Sequence, residues 1–254
     1  MSFETTNDRI LSGQVLLTQP KDGYRAAVDP VFLAAAAEVK NGERALDLGC
    51  GVGAAMLCLG TRCPGVHIDG LEVQPHLSQL ARANVEANAM ADRLRVYEGD
   101  LLTPPAALQP DSYAHVFANP PYLSDDRGHP PPNASKKIAH VEGDATLSDW
   151  IDAALKFCRT KGSITFIQRA DRLADLLTGL SGRAGEITVF PLWPKYEDEA
   201  IAHRVVANRV IVRARKGLKT PLQLSAGMVL HNSDGSYTER ADAVLRGGAL
   251  RLRV

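Results

Sequence analysis

The sequence predicts an α/β fold in which a doubly wound, mostly parallel sheet carries helices on both faces. Three observations lead to this prediction: strand-like and helix-like segments alternate over residues 44–213, a glycine-rich turn follows the first strand, and acidic or amide side chains close later strands. Such alternation is typical of parallel strands joined by helices. Ligands of these sheets lie at the carboxyl ends of the strands, so the polar strand ends predict where the functional site lies.

The elements of this core are predicted from hydrophobic periodicity and from the residues that punctuate it. One helix begins at Pro75 and places Leu77, Leu80 and Ala81 on one side, together with Asn84. The predicted strands are 44–46, 66–72, 94–100, 113–118, 163–168, 186–190 and 205–212, and the predicted helices are 54–62, 75–88, 147–158 and 169–180.

A glycine turn follows the first predicted strand, with Gly49, Gly51 and Gly53 at alternate positions and Asp47 directly before them. A glycine turn between a strand and a helix is typical of nucleotide-binding loops. The spacing differs from the dinucleotide fingerprint, and a carboxylate at the strand end would repel a diphosphate. It suits a cationic ligand that carries an amino group, and S-adenosylmethionine is such a ligand.

Two further acids close the next strands. Glu72 ends the second strand, 25 residues after Asp47, where a carboxylate can accept hydrogen bonds from both ribose hydroxyls of a nucleoside. Asp100 ends the third strand and can accept a hydrogen bond from the adenine amine. Each acid taken alone also fits a helix N-cap or a solvated turn. Val73 and Leu101, which follow them, complete the predicted cofactor site on this side.

The segment Asn119, Pro120, Pro121 and Tyr122 follows the apolar strand 113–118. An asparagine oxygen and a backbone carbonyl of the proline pair can accept both N–H groups of a planar amine, while the tyrosine ring stacks on its plane. The alternative is a plain strand-ending turn. These four residues are the predicted catalytic residues, and Asn119 is also predicted to border the cofactor.

With these motifs in order, the chain resembles the class I S-adenosylmethionine-dependent methyltransferases, and within them the amino-methylating branch marked by Asn-Pro-Pro-Tyr. Segments 23–34 and 230–238 look like the bacterial tRNA adenine-N6 methyltransferases that modify valine tRNA beside the anticodon. The resemblance extends over nearly the whole chain. It implies a seven-stranded Rossmann-like sheet with an antiparallel last strand, S-adenosylmethionine as cofactor, and tRNA or another structured RNA as substrate.

The resemblance also assigns a role to residues 1–43, a lead-in segment that closes over the cofactor with Tyr24, Arg25 and Asp29 near the methionine end. Asp29 is equally a candidate N-cap for a helix 30–39 that begins at Pro30. Residues 44–254 are expected to form the methyltransferase domain with a C-terminal extension, and the whole chain a single globular domain.

Three alternatives to the tRNA enzyme remain open. Glutamine N5 methyltransferases use the same motif on a planar amide, but they carry a sizeable N-terminal helical domain and only 46 residues precede Asp47 here. DNA adenine methylation is disfavoured because no sequence-reading domain is recognised. A non-catalytic S-adenosylmethionine-binding protein would not need the intact motif at 119–122.

Charge composition excludes a globally basic nucleic-acid binder. Lys plus Arg equals Asp plus Glu at 29 each, so any RNA contact requires a local patch. The segment 213–219 carries four bases and is a better candidate for RNA contact than the sparser bases of segment 123–145. The aperiodic, proline-rich segment 123–145 is predicted to be a lid after the catalytic turn.

The remaining composition points to a cytoplasmic protein, as monomer or homodimer. The four cysteines form no C-x-x-C pair and are predicted to be reduced packing thiols. The seven histidines show no metal-ligand pattern, so no metal is expected. No signal peptide and no membrane span are predicted.

Overall fold

The computed structural model describes residues 4–22, 25–121, 145–195 and 205–252, and it confirms the α/β architecture. A two-stranded hairpin precedes a nine-stranded sheet flanked by helices. The strands are β1 Thr5–Ile10, β2 Val15–Pro20, β3 Arg44–Leu48, β4 His67–Glu72, β5 Leu94–Glu98, β6 Tyr113–Ala118, β7 Cys158–Arg169, β8 Ala184–Lys195, β9 Arg209–Lys216, β10 Gln223–Leu224 and β11 Met228–His231. The helices are α1 Asp29–Ala36, α2 Ala54–Arg62, α3 Pro75–Ala87, α4 Leu147–Phe157, α5 Leu173–Leu180 and α6 Glu239–Leu245.

The order of strands in the sheet is β10-β8-β9-β7-β6-β3-β4-β5, and β11 pairs with the end of β8. All seven predicted strands are present, and β9 runs antiparallel to β7 and β8 as the resemblance implies. Among the described residues the sheet has nine strands, because β10 and β11 add parallel pairs to the outer edge of β8. Both added strands are short, at two and four residues, which is why no periodic pattern in the sequence predicts them.

The order in which successive strands are added to the sheet reverses at β3. The chain moves outward through β4 and β5 and then returns to place β6 on the other side of β3, so β3 pairs with both β4 and β6. All six residues of β6 are buried, as expected of a central parallel strand covered on both faces. A crevice forms at the carboxyl ends of strands at such a switch point.

Two hydrophobic cores lie on the two faces of the sheet. One contains Phe32 of α1, Met56 of α2 and Leu77 of α3. The other contains Trp150 of α4 and Leu176 of α5. The two cores position α1 to α3 on one side and α4 and α5 on the other, which confirms the doubly wound arrangement.

Several predicted boundaries are wrong, chiefly beyond β6. The predicted helix 169–180 is instead the end of β7, a short 3-10 turn Ala170–Arg172 and then α5. The strand predicted at 186–190 extends over Ala184–Lys195, and the one predicted at 205–212 begins only at Arg209. The strands β7 and β8 are long because each pairs with β9, which lies between them.

The lead-in segment holds the antiparallel hairpin β1–β2, which its polar sequence did not predict. The hairpin is joined to α3 by Asn84, whose side chain accepts from Thr18 N–H and donates to Thr18 O, each at 2.8 Å. Asn88 makes the same pair of bonds with the backbone of Leu16. Two asparagines, one in the last turns of α3 and one at its C-cap, therefore supply the hydrogen-bond partners that the hairpin backbone needs.

The predicted capping role of Asp29 is wrong. Val28 occupies the N-cap of α1 without a side-chain bond, and Asp29 lies in the first turn of the helix. Its carboxylate instead pairs with the Arg209 guanidinium at the start of β9, at 3.1 Å. A tertiary ion pair across the carboxyl edge of the sheet thus replaces the local cap.

The four cysteines are all free, and Cys50, Cys58 and Cys158 are buried, which confirms the packing role. Within the described ranges, no helix is long and apolar enough to cross a membrane. In the same residues, no three His, Cys, Asp or Glu side chains are gathered where they could hold a metal ion.

Candidate functional site

The glycine turn lies between β3 and α2 and takes a left-handed backbone at each glycine, with φ of +66° at Gly49, +55° at Gly51 and +85° at Gly53. Only glycine adopts this conformation without a steric cost. Gly53 is the N-cap of α2 and has no side chain to satisfy the first helical N–H groups. Asp47 compensates from the end of β3, because its Oδ2 accepts from Met56 N–H at 3.1 Å.

Two acids are buried beside this turn. Asp47 is 2% exposed and Glu72 is 5% exposed. Glu72 accepts from Gly51 N–H at 2.8 Å and from Gln74 N–H at 2.9 Å, so it fixes the turn from the neighbouring strand. Burial raises the pKa of Asp47 well above its usual range, and the nearby Glu72 charge raises it further. A cationic ligand bound beside Asp47 would stabilise its ionised carboxylate and so counteract both causes of the raised pKa.

Glu72 ends β4 as predicted, but β5 ends at Glu98, so Asp100 lies in the loop after β5 and not at the strand end. Apolar side chains are exposed next to both acids. Val73 is 40% exposed and Leu102 is 47% exposed, which is unusual beside a well-packed sheet. Asp100 accepts from Leu102 N–H at 2.9 Å, a turn that fixes the carboxylate at the same edge. Two apolar surfaces and a carboxylate acceptor suit the faces and the exocyclic amine of an adenine ring. Leu102 was not predicted; the available signal was a second leucine directly after the predicted Asp100 and Leu101.

Asn119 lies in one cleft with the glycine turn. Asp47, Gly49 and Asn119 line this cleft together with Ala26 and Pro30 of the lead-in segment and α1. The register of the sheet explains the proximity, because Leu48 at the end of β3 is paired with Ala118 at the end of β6. The structure therefore brings together two motifs that are about 70 residues apart in the sequence.

Gln168 is a residue that the sequence reading missed. It is 2% exposed near the end of β7, its Nε2 donates to Pro120 O at 3.4 Å and its Oε1 accepts from Arg169 N–H at 2.8 Å. It thereby orients the carbonyl in the predicted catalytic turn. The available signal was a lone amide at the end of an otherwise apolar strand.

Other predicted site residues lie elsewhere. The Arg25 guanidinium donates to Thr6 Oγ1, to Pro20 O and to Asp8, so it holds the hairpin rather than the glycine turn. Tyr24 and Tyr122 lie outside the described residues, as does nearly all of the predicted lid 123–145.

The basic segment 213–219 lies at the opposite edge of the sheet from Asn119. β9 runs antiparallel to β7, so it begins at the carboxyl edge with Arg209 and ends at the amino edge with Lys216. Arg213 is buried, and Lys216 is bound to Asp111 and to the Cys158 carbonyl. The segment is therefore not a contiguous basic patch beside the catalytic turn.

Comparison with known protein families identifies the family to which the chain belongs. Residues 28–170, more than half of the chain, match the family described as methyltransferase small domain. The chain belongs to this family. The match covers β3 to β7 with the glycine turn, both buried acids and Asn119. This methyltransferase uses S-adenosylmethionine as its methyl donor.

The chain matches curated relatives over most of their length. It is 26% identical over 224 residues to the tRNA1(Val) (adenine(37)-N6)-methyltransferase of Aeromonas hydrophila, covering 85% of this chain and 86% of that protein. It is 28% identical over 232 residues to the enzyme of the same name from Actinobacillus pleuropneumoniae, covering 89% and 90%.

Solved structures support the fold of this methyltransferase. A protein described as a predicted O-methyltransferase from Agrobacterium tumefaciens has a TM-score of 0.71 at 23% identity, covering 88% of this chain and 98% of that one. The tRNA (m1A58) methyltransferase of Aquifex aeolicus has a TM-score of 0.55 at 14% identity, covering 80% and 73%. At these identities the likeness shows the fold alone.

Proposed function

We propose that this methyltransferase modifies the exocyclic N6 amine of an adenine in tRNA. The observation that carries the proposal is that Asn119 lines the same cleft as Asp47 and Gly49, so an amine acceptor lies next to a site suited to a cation. The names of the curated relatives support adenine N6 and tRNA as the acceptor.

On the donor side, each group of the cofactor has a matching residue. Asp47 and the left-handed turn at Gly49 and Gly51 would hold the cationic methionine end. Glu72 would accept the ribose hydroxyls, and Asp100 the adenine amine, with the ring between Val73 and the Leu101–Leu102 segment. When bound, S-adenosylmethionine supplies an electrophilic methyl on its sulfonium.

On the acceptor side, the chain's task is alignment. The Asn119 side-chain oxygen and the Pro120 carbonyl would accept the two N–H bonds of the amine and direct its nitrogen lone pair toward the methyl. Tyr122 would stack on the base. No strong base is required, because the proton on nitrogen becomes acidic only once the new N–C bond forms and the C–S bond breaks. Alignment of this kind contributes up to about 7 to 11 kcal/mol in favourable cases.

The proposal is tested by incubating the protein with labelled S-adenosylmethionine and separate pools of tRNA, DNA and protein from a strain that lacks it. We expect label in tRNA, recovered after digestion as N6-methyladenosine. Label found only in a polypeptide glutamine would reject the tRNA proposal and support the glutamine N5 alternative. Label found only in DNA would equally reject it.

A Glu72→Gln variant is expected to weaken S-adenosylmethionine binding by about 1.5 to 3 kcal/mol, because a charge-assisted bond to the ribose is lost. Glu98→Gln is a matched control: Glu98 ends the adjacent strand β5 and is the register partner of Glu72, but it bonds to Ser78. Calorimetry on both folded variants measures the difference. Equal affinities would show that the Glu72 carboxylate does not contact the cofactor.

Cofactor binding is also expected to release a proton at pH values where Asp47 is protonated in the free protein. In the free protein the pKa of Asp47 is raised by burial and by Glu72, and a bound cation favours the ionised form. Affinity should therefore rise with pH until Asp47 is ionised in the free protein. Calorimetry in buffers of different ionisation enthalpy counts the protons. Asp47→Asn should abolish the buffer dependence, and its persistence in that variant would contradict this origin.

A further inference from the structure

A second cleft lies at the amino edge of the sheet, on the opposite side of the molecule from Asn119. It has a volume of about 620 Å³ and opens between the segment after α1, the bulged start of β7, the start of β8 and the end of β9. Its charged lining consists of five bases and three acids. The proposed methyl transfer uses none of them.

The charges of this cleft do not cancel. Arg159 pairs with Glu43 at 2.7 Å, and Arg215 lies 3.5 Å from Glu186. Arg213 pairs with Glu38, which leaves Lys40 and Lys161 as the two remaining bases of the lining. Neither lysine forms an ion pair with a described residue. The cleft therefore carries an excess of positive charge that favours an anion.

Arg213 forms the deep end of the cleft. It is 6% exposed, and a buried guanidinium requires a counterion and acceptors for its N–H groups. Glu38 Oε1 lies 2.6 Å from its Nη1, yet the Glu38 side chain is 68% exposed. Nη1 makes no directed hydrogen bond within the described ranges, so this carboxylate lies off its N–H directions. A surface carboxylate thus occupies an anion position that it fits imperfectly.

Two more buried polar atoms without a described partner lie beside Arg213. Thr165 Oγ1 belongs to the register partner of Arg213 on β7, and His115 Nε2 lies one strand further, on β6. The other ring nitrogen of His115 contacts the Ser163 hydroxyl, and Ser163 lines the cleft. Burial and the Arg213 charge lower the pKa of His115 to about 3, so its ring is neutral. When the Ser163 hydroxyl donates to Nδ1, the ring proton lies on Nε2, so the buried polar groups behind the cleft lining are hydrogen-bond donors, and the Arg213 guanidinium is the donor that reaches the cleft itself.

We propose that this amino-edge cleft binds an oxyanion of the phosphate class, seated on the Arg213 guanidinium in place of the Glu38 carboxylate. A phosphate offers several acceptor oxygens to a guanidinium fork, which a single tethered carboxylate cannot match. The phosphoryl group can belong to a small phosphorylated molecule or to an RNA backbone. The proposal does not depend on the acceptor of the methyl group.

The test is a titration of the full chain with inorganic phosphate at constant ionic strength, followed by calorimetry and by the His115 ring resonances. Wild type should bind saturably, with a shift of the His115 signals. Arg213→Gln should weaken binding roughly 10- to 100-fold, the effect of losing a charged hydrogen-bond donor. Glu38→Gln should strengthen binding about two- to fivefold, because it removes a competing exposed carboxylate.

Lys219→Gln is the matched control, since Lys219 belongs to the same basic segment but is exposed and does not line the cleft. It should bind phosphate like the wild type. Unsaturable binding, or equal binding by all four proteins, would overturn the proposal. Glu38 is a surface residue, so the phosphate affinity of Glu38→Gln tests the proposal even where Arg213→Gln fails to fold.

Two further arms identify the source of the phosphoryl group. If an RNA backbone supplies it, anticodon stem-loop affinity should follow the same order of variants, and phosphate should compete with the RNA. If a small molecule supplies it, RNA affinity should be equal in all four proteins while the phosphate response persists. Both results require the Arg213 site, whereas a phosphate response that is independent of Arg213 and Glu38 excludes it.

Discussion

Replacing Asn119 with alanine is expected to lower the rate of methyl transfer by about 10² to 10³ while leaving S-adenosylmethionine affinity nearly unchanged. The substitution removes an acceptor aimed at the reacting N–H groups, and losses of a single preorganised polar group of this kind have that magnitude. Single-turnover transfer to tRNA measures the rate, and calorimetry measures the affinity. The split between the two distinguishes an acceptor-side role from a role in building the cofactor site.

Asn208→Ala is a suitable control for this experiment. Asn208 directly precedes β9 at the same carboxyl edge of the sheet, and it is exposed. We expect the control to retain wild-type rates. If Asn119→Ala is fully active on every acceptor, the proposed alignment mechanism is wrong. If it loses cofactor binding and activity together, Asn119 acts on the donor side.

Gly49→Ala is expected to destabilise the fold by roughly 2 to 5 kcal/mol and to abolish cofactor binding, because a left-handed residue and a collision add together. The backbone φ is +66°, and an added Cβ would lie 2.3 Å from Trp150 Cη2. The Trp150 ring is 7% exposed in the core beneath α4, so it cannot easily move aside. Denaturant unfolding of the variant measures the loss of stability.

A Gly42→Ala variant separates the cost of the left-handed backbone from the cost of the collision. Gly42 has a φ of +81°, and a Cβ added there would meet nothing within 4 Å, so this variant reports the backbone cost alone. Its loss should be limited to about 1 to 2 kcal/mol. Combining Gly49→Ala with Trp150→Leu should recover part of the stability. Equal losses for Gly42→Ala and Gly49→Ala would contradict the predicted collision.

The limits of the sequence reading are clearest at Asn84. The helix pattern places it on the same side as Leu77 and Ala81, where an asparagine contradicts the apolar pattern. The structure explains it, because Asn84 binds both backbone groups of Thr18 in a hairpin 66 residues earlier in the chain. Neither the hairpin nor the reason for a buried amide has a local signal. Each depends on the other across that separation.

The segment 213–219 shows the same limit for charge. Its four bases form a cluster in the sequence, but the antiparallel direction of β9 carries them to the edge away from Asn119. Burial then separates Arg213 from the exposed Lys219. Strand direction depends on pairing with β7 and β8, so composition alone could not locate this charge.

The sequence by itself determined the alternation of strands and helices, the glycine turn at Gly49, Gly51 and Gly53, and the order of the polar residues that follow the strands. Those features depend on backbone sterics and hydrophobic periodicity, which act over a few residues. Only the tertiary structure decided that β6 returns beside β3, which places Asn119 in the cleft of Asp47. It also decided that Asp29 binds Arg209, that Arg25 holds the hairpin and that Gln168 orients Pro120. Those contacts join distant segments, and they exist only once the sheet has fixed which strand ends are neighbours.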